Sequence, residues 1–172
     1  VSIDQISFQV GGYEAKYGQA QSGIINVTTK SGQPTYSILG DLVTSSFTDD
    51  YGYNLYAGTI SGPIIPGVEG QTIFLSAERG WFQDADPTAI ELSFPSVGKT
   101  YDGYQNNPAE VWRFSGKTNH RLGDFTINLG GLYNDRTAKV IDYRYQKNNS
   151  KFNGEFDESN VSLNARISQT VS

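Results

Sequence analysis

Alternation of hydrophobic and polar residues is the main pattern of the chain from residue 35 onward. In the segment 111–121, for example, Trp112 and Phe114 alternate with Arg113, Ser115 and Lys117. A period of two places successive side chains on opposite sides of a β-strand. Six segments show it: residues 35–47, 53–61, 72–82, 111–121, 124–134 and 160–171. The sequence therefore predicts an all-β chain with about six antiparallel strands of roughly 10 residues each.

The connections between these segments are of two kinds. Residues 48–52 and 122–124 are predicted as tight turns, and a compact Pro/Gly connection joins the second strand to the third. Residues 83–108 and 136–158 are predicted as long polar loops. Long loops at one end and tight turns at the other are typical of transmembrane β-barrels, as is an interfacial girdle of aromatic residues. The candidates for this girdle are Phe47, Tyr53, Trp81, Phe125 and Tyr133.

The same alternation also fits a half-buried sheet in a soluble β-sandwich. Two features favour the membrane barrel. The apolar sides of the strands are continuous, and the polar sides carry charge in mid-strand, as a water-filled lumen allows. In the second strand, the pattern groups Tyr53, Leu55 and Ala57 on one side, with Asn54, Tyr56 and Gly58 on the other. The mid-strand charges expected to face the lumen are Asp41, Glu78, Arg113, Lys117 and Arg166.

Composition argues against several kinds of partner and site. The 172 residues carry a formal charge of −5, which argues against a nucleic-acid partner because no basic stripe neutralises phosphates. The absence of cysteine excludes disulfides and thiolate metal sites. No segment approaches the roughly 20 consecutive apolar residues of a membrane helix, and no signal-peptide pattern is present. Because no Met occurs, even at position 1, we expect a fragment of a longer protein.

Catalytic chemistry finds little support in the sequence. His120 is the single histidine and lies near a predicted turn. Asp84 and Asp86 lack the glycine and glutamate spacing of an EF-hand loop, and Asp49 and Asp50 suit a tight turn. No phosphate-binding or dinucleotide-binding motif occurs. We therefore expect no enzyme activity, no metal and no cofactor.

The glycine-rich stretch GGYEAKYGQAQSGIINVTTKSG, residues 11–32, precedes the alternating segments. Its glycines allow positive φ and close backbone approach, and IINVTT is predicted as a strand. Together with residues 1–10, the stretch resembles the end of the plug domain in TonB-dependent outer-membrane receptors. The resemblance is carried by Ile3, Ile6, Val10, Gly11 or Gly12, Ala15, Tyr17, Gly18, Ser22, Gly23, Ile25, Asn26, Val27, Thr29, Lys30 and Gly32. The segments that follow look like the first barrel strands of receptors similar to SusC and Oar.

The resemblance implies that residues 1–32 end a plug domain and residues 33–172 begin a barrel of about 22 strands. It further implies a transporter in the bacterial outer membrane that imports a scarce siderophore, glycan or peptide into the periplasm. The TonB–ExbB–ExbD complex would supply the energy. The other implied partners are lipid, lipopolysaccharide and, in some members, a SusD-like lipoprotein. The Tyr- and Asn-rich long loops suit ligand capture outside the cell.

Two alternatives to transport stay open from the sequence. One is a barrel of the same family that serves as a structural or secretion-associated subunit. The other is a soluble β-sandwich adhesin or carbohydrate-binding module. The five mid-strand charges are expected to contact the plug; lining the route of a ligand is the other role open to them.

Overall fold

The computed structural model describes residues 2–9, 24–48, 52–85, 92–101, 107–142, 144 and 149–170. These residues form three antiparallel β-sheets, which confirms the predicted all-β antiparallel architecture. Of the described residues, only Pro95–Val97 and Ser150–Phe152 form helical segments, each a single 3₁₀ turn. Neither is long and apolar enough to cross a membrane.

The largest sheet has six strands that follow one another in the order of the chain. These strands are β3 (Ser37–Thr44), β4 (Asn54–Pro63), β5 (Gln71–Phe82), β8 (Ala109–Leu122), β9 (Phe125–Lys139) and β10 (Glu155–Gln169). Two hairpins complete the fold. The first joins β1 (Ile3–Gln9) to β2 (Ile24–Thr29), and the second joins β6 (Leu92–Phe94) to β7 (Lys99–Tyr101) within the connection 83–108. This second hairpin was not predicted.

The last two strands are longer than the sequence pattern predicted. β9 continues from residue 134 to Lys139, and β10 begins at Glu155 rather than at residue 160. Polar pairs hold this extension: Lys139 Nζ lies 2.7 Å from Glu155 Oε2, and Thr137 donates a 2.6 Å hydrogen bond to Asp157. Because Ala138–Phe156 is the single hydrophobic pair in this extension, the hydrophobic alternation is too short to predict a strand, although strand pairing continues. The predicted loop 136–158 is therefore reduced to residues 140–154.

Cross-strand register gives the six-stranded sheet two chemically different faces. We call one the apolar face; its central row runs through Ile38, Ile60, Leu75, Gly116, Gly131 and Leu163. We call the other the polar face; its central row runs through Asp41, Ala57, Glu78, Arg113, Asn134 and Asn160. The register keeps the predicted grouping within strand 53–61 and assigns each side to a face of the sheet. Tyr56 belongs to the apolar face, whereas Leu55 belongs to the polar face, because the neighbouring strands determine which side is which.

The polar face is the covered face of this sheet. All five buried hydrophobic residues in the described part of the chain lie on it: Ala57, Phe74, Ala109, Val111 and Ala138. On the apolar face, by contrast, Leu163 is 81% exposed and Ile38 is 75% exposed. The most exposed hydrophobic side chains of the sheet thus lie on the apolar face, while its buried hydrophobic residues lie on the polar face.

The two ends of the sheet differ in their connections. At the long-loop end, residues 45–53, 83–108 and 140–154 join successive strands. At the short-turn end, the connections are residues 64–70 and the two residues Gly123 and Asp124. Gly123 has φ of 62°, a conformation that favours glycine and suits a two-residue hairpin turn. The predicted asymmetry between long loops and tight turns is present, although the first connection is longer than predicted.

Candidate functional site

The N-terminal hairpin is amphipathic. Ile6 pairs with Val27 and Phe8 pairs with Ile25, so four large hydrophobic residues share one side of it. All four are exposed in the described structure. At its open end, the Lys30 backbone N–H donates a 2.8 Å hydrogen bond to the carbonyl of residue 2. IINVTT thus forms strand β2, as predicted.

Part of the predicted plug motif lies in this hairpin region. Asn26 belongs to β2 and pairs with Ser7, and Lys30 ends the hairpin. The hairpin also contains the motif residues Ile3, Ile6, Ile25, Val27 and Thr29, and Gly32 follows it. The other members of the motif lie outside the described residues: Val10, Gly11, Gly12, Ala15, Tyr17, Gly18, Ser22 and Gly23. Their role as a plug motif stays a prediction.

Residues 30–36, which we call the connector, lead from the hairpin to β3 and press against the sheet. A β-carbon on Gly32 would lie 2.6 Å from the Ile73 backbone nitrogen and 2.7 Å from the Ile73 carbonyl oxygen. Tyr36 places its ring directly against Gly62. A cleft of about 400 Å³ lies between the hairpin, the connector and the polar face. Phe74, which is only 4% exposed, lines this cleft.

The predicted mid-strand charges all lie on the polar face. Asp41, Glu78 and Arg113 share one cross-strand row, with Lys117 and Arg166 in rows nearer the short-turn end. Glu78 and Arg113 form an ion pair between neighbouring strands. None of the ion pairs among the described residues joins the N-terminal segment to the sheet. The expected contact of the five charges with the plug stays a prediction.

Four buried polar residues of the described part lie in the connections at the long-loop end of the sheet. Asn107 is 2% exposed and donates a 2.7 Å hydrogen bond to the buried Asp84. The same two residues form a β-bridge at the base of the connection 83–108. Ser150 and Asn153, in the connection 140–154, are also buried. The bases of both long loops are therefore ordered parts of the fold.

A cluster that the sequence did not reveal lies on the apolar face, near the long-loop end. Arg79 Nε and Trp112 Nε1 both donate hydrogen bonds to Glu110 Oε1, at 2.7 and 2.8 Å. The Arg79 guanidinium carbon lies 5.3 Å from the centre of the Trp112 ring. Phe114 stacks on Trp112, with ring centroids 5.8 Å apart. Only register could reveal this cluster, since its members come from two strands separated by a long connection.

The predicted aromatic girdle residues lie in three kinds of position. Trp81 and Phe125 lie at strand ends, on the side of the apolar face. Tyr133 lies instead in the middle of β9, opposite Phe114 and Val161. Its predicted place near a strand end is therefore wrong, because β9 continues to residue 139. Phe47 and Tyr53 belong to the connection 45–53 at the long-loop end.

The apolar face has small residues at its centre. Gly58, Ala77, Gly116 and Gly131 lie at the bottom of an open apolar depression of about 720 Å³. β-Carbons on Gly116 and Gly131 would come within 3.1 Å of the Leu75 and Leu163 side chains, respectively. The leucines thus lean over the glycines of the neighbouring strands and keep the surface hydrophobic there.

Metal and catalytic chemistry remain without support in the described residues. No group of three or more His, Cys, Asp or Glu residues there is arranged to hold a metal ion. His120 Nε2 lies 3.1 Å from Thr118 Oγ1, on the apolar face. Asp49, Asp50 and Asp86 lie outside the described residues. In the loop 140–154, a hydrogen bond from the Arg144 guanidinium lowers the pKa of the Asp142 carboxyl.

Comparison with known proteins adds no identification. No protein-family model, no curated protein and no solved structure matches this chain. Its function is therefore inferred from its residues and their geometry.

Proposed function

We propose that this chain is part of a TonB-dependent transporter of the bacterial outer membrane, comprising the end of its plug and the first strands of its β-barrel. The observation that carries the proposal is the inverted burial of the six-stranded sheet. A soluble sheet covers its hydrophobic side, because hiding apolar surface from water is the main driving force of folding. Here all five buried hydrophobic residues of the described part lie on the polar face, whereas the large hydrophobic side chains Ile38, Leu42 and Leu163 of the apolar face are exposed.

Lipid is the environment that suits such a sheet. Along β9, the apolar side runs from Phe125 to Tyr133 and ends at Asp135. Nine residues of strand span about 31 Å, which a tilt of 35–45° reduces to a height of about 22–25 Å. Membrane barrels carry an outward apolar band of about 25 Å. The polar face then lines the lumen, and the Arg79–Glu110–Trp112 cluster lies at the outer membrane–water boundary.

The two edge strands of the six-stranded sheet indicate that further strands pair with them. Within the described residues, β3 and β10 each pair on one side only. An unpaired strand edge in a bilayer leaves backbone N–H and C=O groups without hydrogen-bond partners, at a cost of several kcal/mol per group. We therefore expect additional strands to close the barrel; plugged transporters have about 22.

Transport, rather than passive structure, is supported by the N-terminal segment. The cleft beside Phe74 is lined by residues of the β1–β2 hairpin and by connector residues 30–33, so this part of the N-terminal segment lies beside the polar face, which is where a plug belongs. The resemblance of residues 1–32 to a plug end then implies import of an extracellular ligand into the periplasm, driven by TonB–ExbB–ExbD. The connections 83–108 and 140–154 would face the cell exterior. No chemistry on the ligand is implied.

Two measurements on the full-length protein test this proposal. A barrel in the outer-membrane fraction should migrate differently on gels before and after boiling, whereas a β-sandwich should be soluble without detergent. The purified protein should also bind the periplasmic domain of TonB. A heat-modifiable protein without TonB binding would indicate a structural or secretion-associated barrel. A detergent-independent monomer would reject the membrane location altogether.

A further inference from the structure

The connector is held on both sides of the sheet at the short-turn end. On the polar face, Gly32 lies so close to the β5 backbone that a β-carbon at residue 32 would clash with the backbone of Ile73. On the apolar face, the Tyr36 ring lies against Gly62 of β4. Because both contacts involve a glycine, each approach is closer than another residue would allow.

Phe74, which lies in the cleft on the polar face, is unusually buried. It is the largest of the buried hydrophobic residues in the described part of the chain, and it lies on the face that otherwise carries charge. Lys117 is its neighbour across β8, and Ser61 is its neighbour across β4. Removing a Phe side chain from water contributes roughly 1.5–3 kcal/mol. Connector residues 30–33 line the same cleft as Phe74.

The hairpin itself is held much less firmly. β1 and β2 pair with each other, and neither belongs to the six-stranded sheet. Of the hairpin, Asp4, Thr28 and Thr29 line the cleft, while the strands are exposed along nearly their whole length. The attachment of the N-terminal segment to the six-stranded sheet is therefore concentrated at the connector and Phe74.

We propose that Gly32, Tyr36, Gly62 and Phe74 form a clamp that fixes the end of the N-terminal segment to the barrel wall. The β1–β2 hairpin can then be displaced while the connector stays seated. This clamp rests on the proposed function for its purpose, because a plug pulled from the periplasmic side must open a path without leaving the barrel. The contacts that form it do not depend on that function.

Limited trypsin digestion of the full-length protein in detergent tests the clamp directly. Lys30 lies at the start of the connector, and Lys151 lies in the connection 140–154 as an internal reference. Gly32→Val and Phe74→Ser should increase the cleavage rate after Lys30 about tenfold, with cleavage after Lys151 unchanged. Phe74→Leu should behave like the wild type. Gly154→Val is the matched control, since a β-carbon at residue 154 meets no atom within 4 Å.

A second readout uses cells that carry the full-length protein in the outer membrane. Gly32→Val and Phe74→Ser should admit several-fold more of a large hydrophilic dye, while their heat-modifiable migration stays that of a folded barrel. Folded variants that resist trypsin and exclude the dye as well as the wild type does would overturn the clamp. A wild type without heat-modifiable migration would instead overturn the proposed function, and trypsin cleavage after Lys30 would still decide the clamp.

Discussion

Glu78 on β5 and Arg113 on β8 stand directly opposite each other on the polar face, and the Arg113 guanidinium donates a hydrogen bond to Glu78 Oε1. They are 35 residues apart in sequence, and the connection 83–108 lies between their strands. The pair therefore links two strands that are far apart in the chain and is one of the contacts consistent with their register.

This ion pair should contribute modestly to stability. The Arg113 side chain is 52% exposed, so water screens the interaction, and we expect a coupling of about 0.5–1 kcal/mol. Urea unfolding of Glu78→Gln, Arg113→Gln and the double variant in the full-length protein measures it. Asp41→Asn is the control; it lies in the same row, and its change should stay within about 0.5 kcal/mol. A coupling that persists unchanged in 1 M salt would contradict a screened pair.

Two neighbouring residues on β10 should differ in how much stability is lost when each is replaced by a charged residue. Leu163→Arg places a cation in the middle of the apolar face and should cost about 2–4 kcal/mol in a bilayer. Ser162→Arg, one residue away on the polar face, should cost less than about 1 kcal/mol. The fraction of full-length protein that folds into lipid vesicles measures both. An equal decrease in the folded fraction for the two variants would contradict the assignment of the apolar face to lipid.

The turn between β8 and β9 should depend on its glycine. Gly123 has φ of 62°, which other L-residues adopt at a cost of about 1–2 kcal/mol. Gly123→Ala should lower the free energy of unfolding by this amount, and Gly123→Asn should be tolerated better, since Asn enters that region more readily. Gly154→Ala has an ordinary φ and open space around it, so it serves as the control. Comparable stabilities for Gly123→Ala and the wild type would mean that the turn relaxes.

The polar extension of β9 and β10 should be separable from the rest of the sheet. Glu155→Lys sets two cations opposite each other at Lys139, where an ion pair now lies, and like charges in that arrangement destabilise pairing. Hydrogen exchange should therefore accelerate at residues 137–139 and 155–157, with no change at residues 127–133. Glu155→Gln, which removes charge without repulsion, should have a smaller effect. Uniform protection in Glu155→Lys would show that the ion pair plays no part in the extension.

Acid should weaken the contact between Asp142 and Arg144 in the loop 140–154. The Arg144 hydrogen bonds hold the pKa of Asp142 below its ordinary value. A lowered carboxylate pKa means stabilisation that is present above the unfolded-state pKa, near 3.9, and is lost as the pH falls through the folded-state pKa. Carbon-13 NMR of the carboxyl group should show a higher pKa for Asp142 in Arg144→Gln. An unaltered titration would rule out Arg144 as the cause.

Much of the fold could be predicted because β-strands that separate two environments alternate strictly. Residues 112–117 alternate between hydrophobic or small side chains and polar ones, and they lie within β8, which spans Ala109–Leu122. The pattern is lost where both environments are water. The pairs Lys139–Glu155 and Thr137–Asp157 continue the ladder beyond the apolar band, and the single hydrophobic pair between them, Ala138–Phe156, is too short a pattern to predict a strand. The hairpin β6–β7 was missed because its strands have only three residues each.

Much of the candidate site, by comparison, depends on register. The sequence predicted that Asp41, Glu78 and Arg113 face the same side, but not that Glu78 and Arg113 would meet as a pair. In strand 53–61, hydrophobic residues occur on both sides, so the sequence pattern alone could not decide whether Leu55 or Tyr56 belongs with Leu75. The cluster of Arg79, Glu110 and Trp112 left no signal in the sequence, since its members are brought together only by the pairing of β5 with β8.

The sequence by itself determined the period of two, the approximate positions of the six strands and the separation of charged from hydrophobic side chains along each of them. These are local properties, set by which residues alternate and by where glycine and proline interrupt them. Only the tertiary structure decided which face is covered. Burial depends on what lies above a sheet, and here the connector, together with Phe74, lies on the polar face while Leu163 and Ile38 remain open.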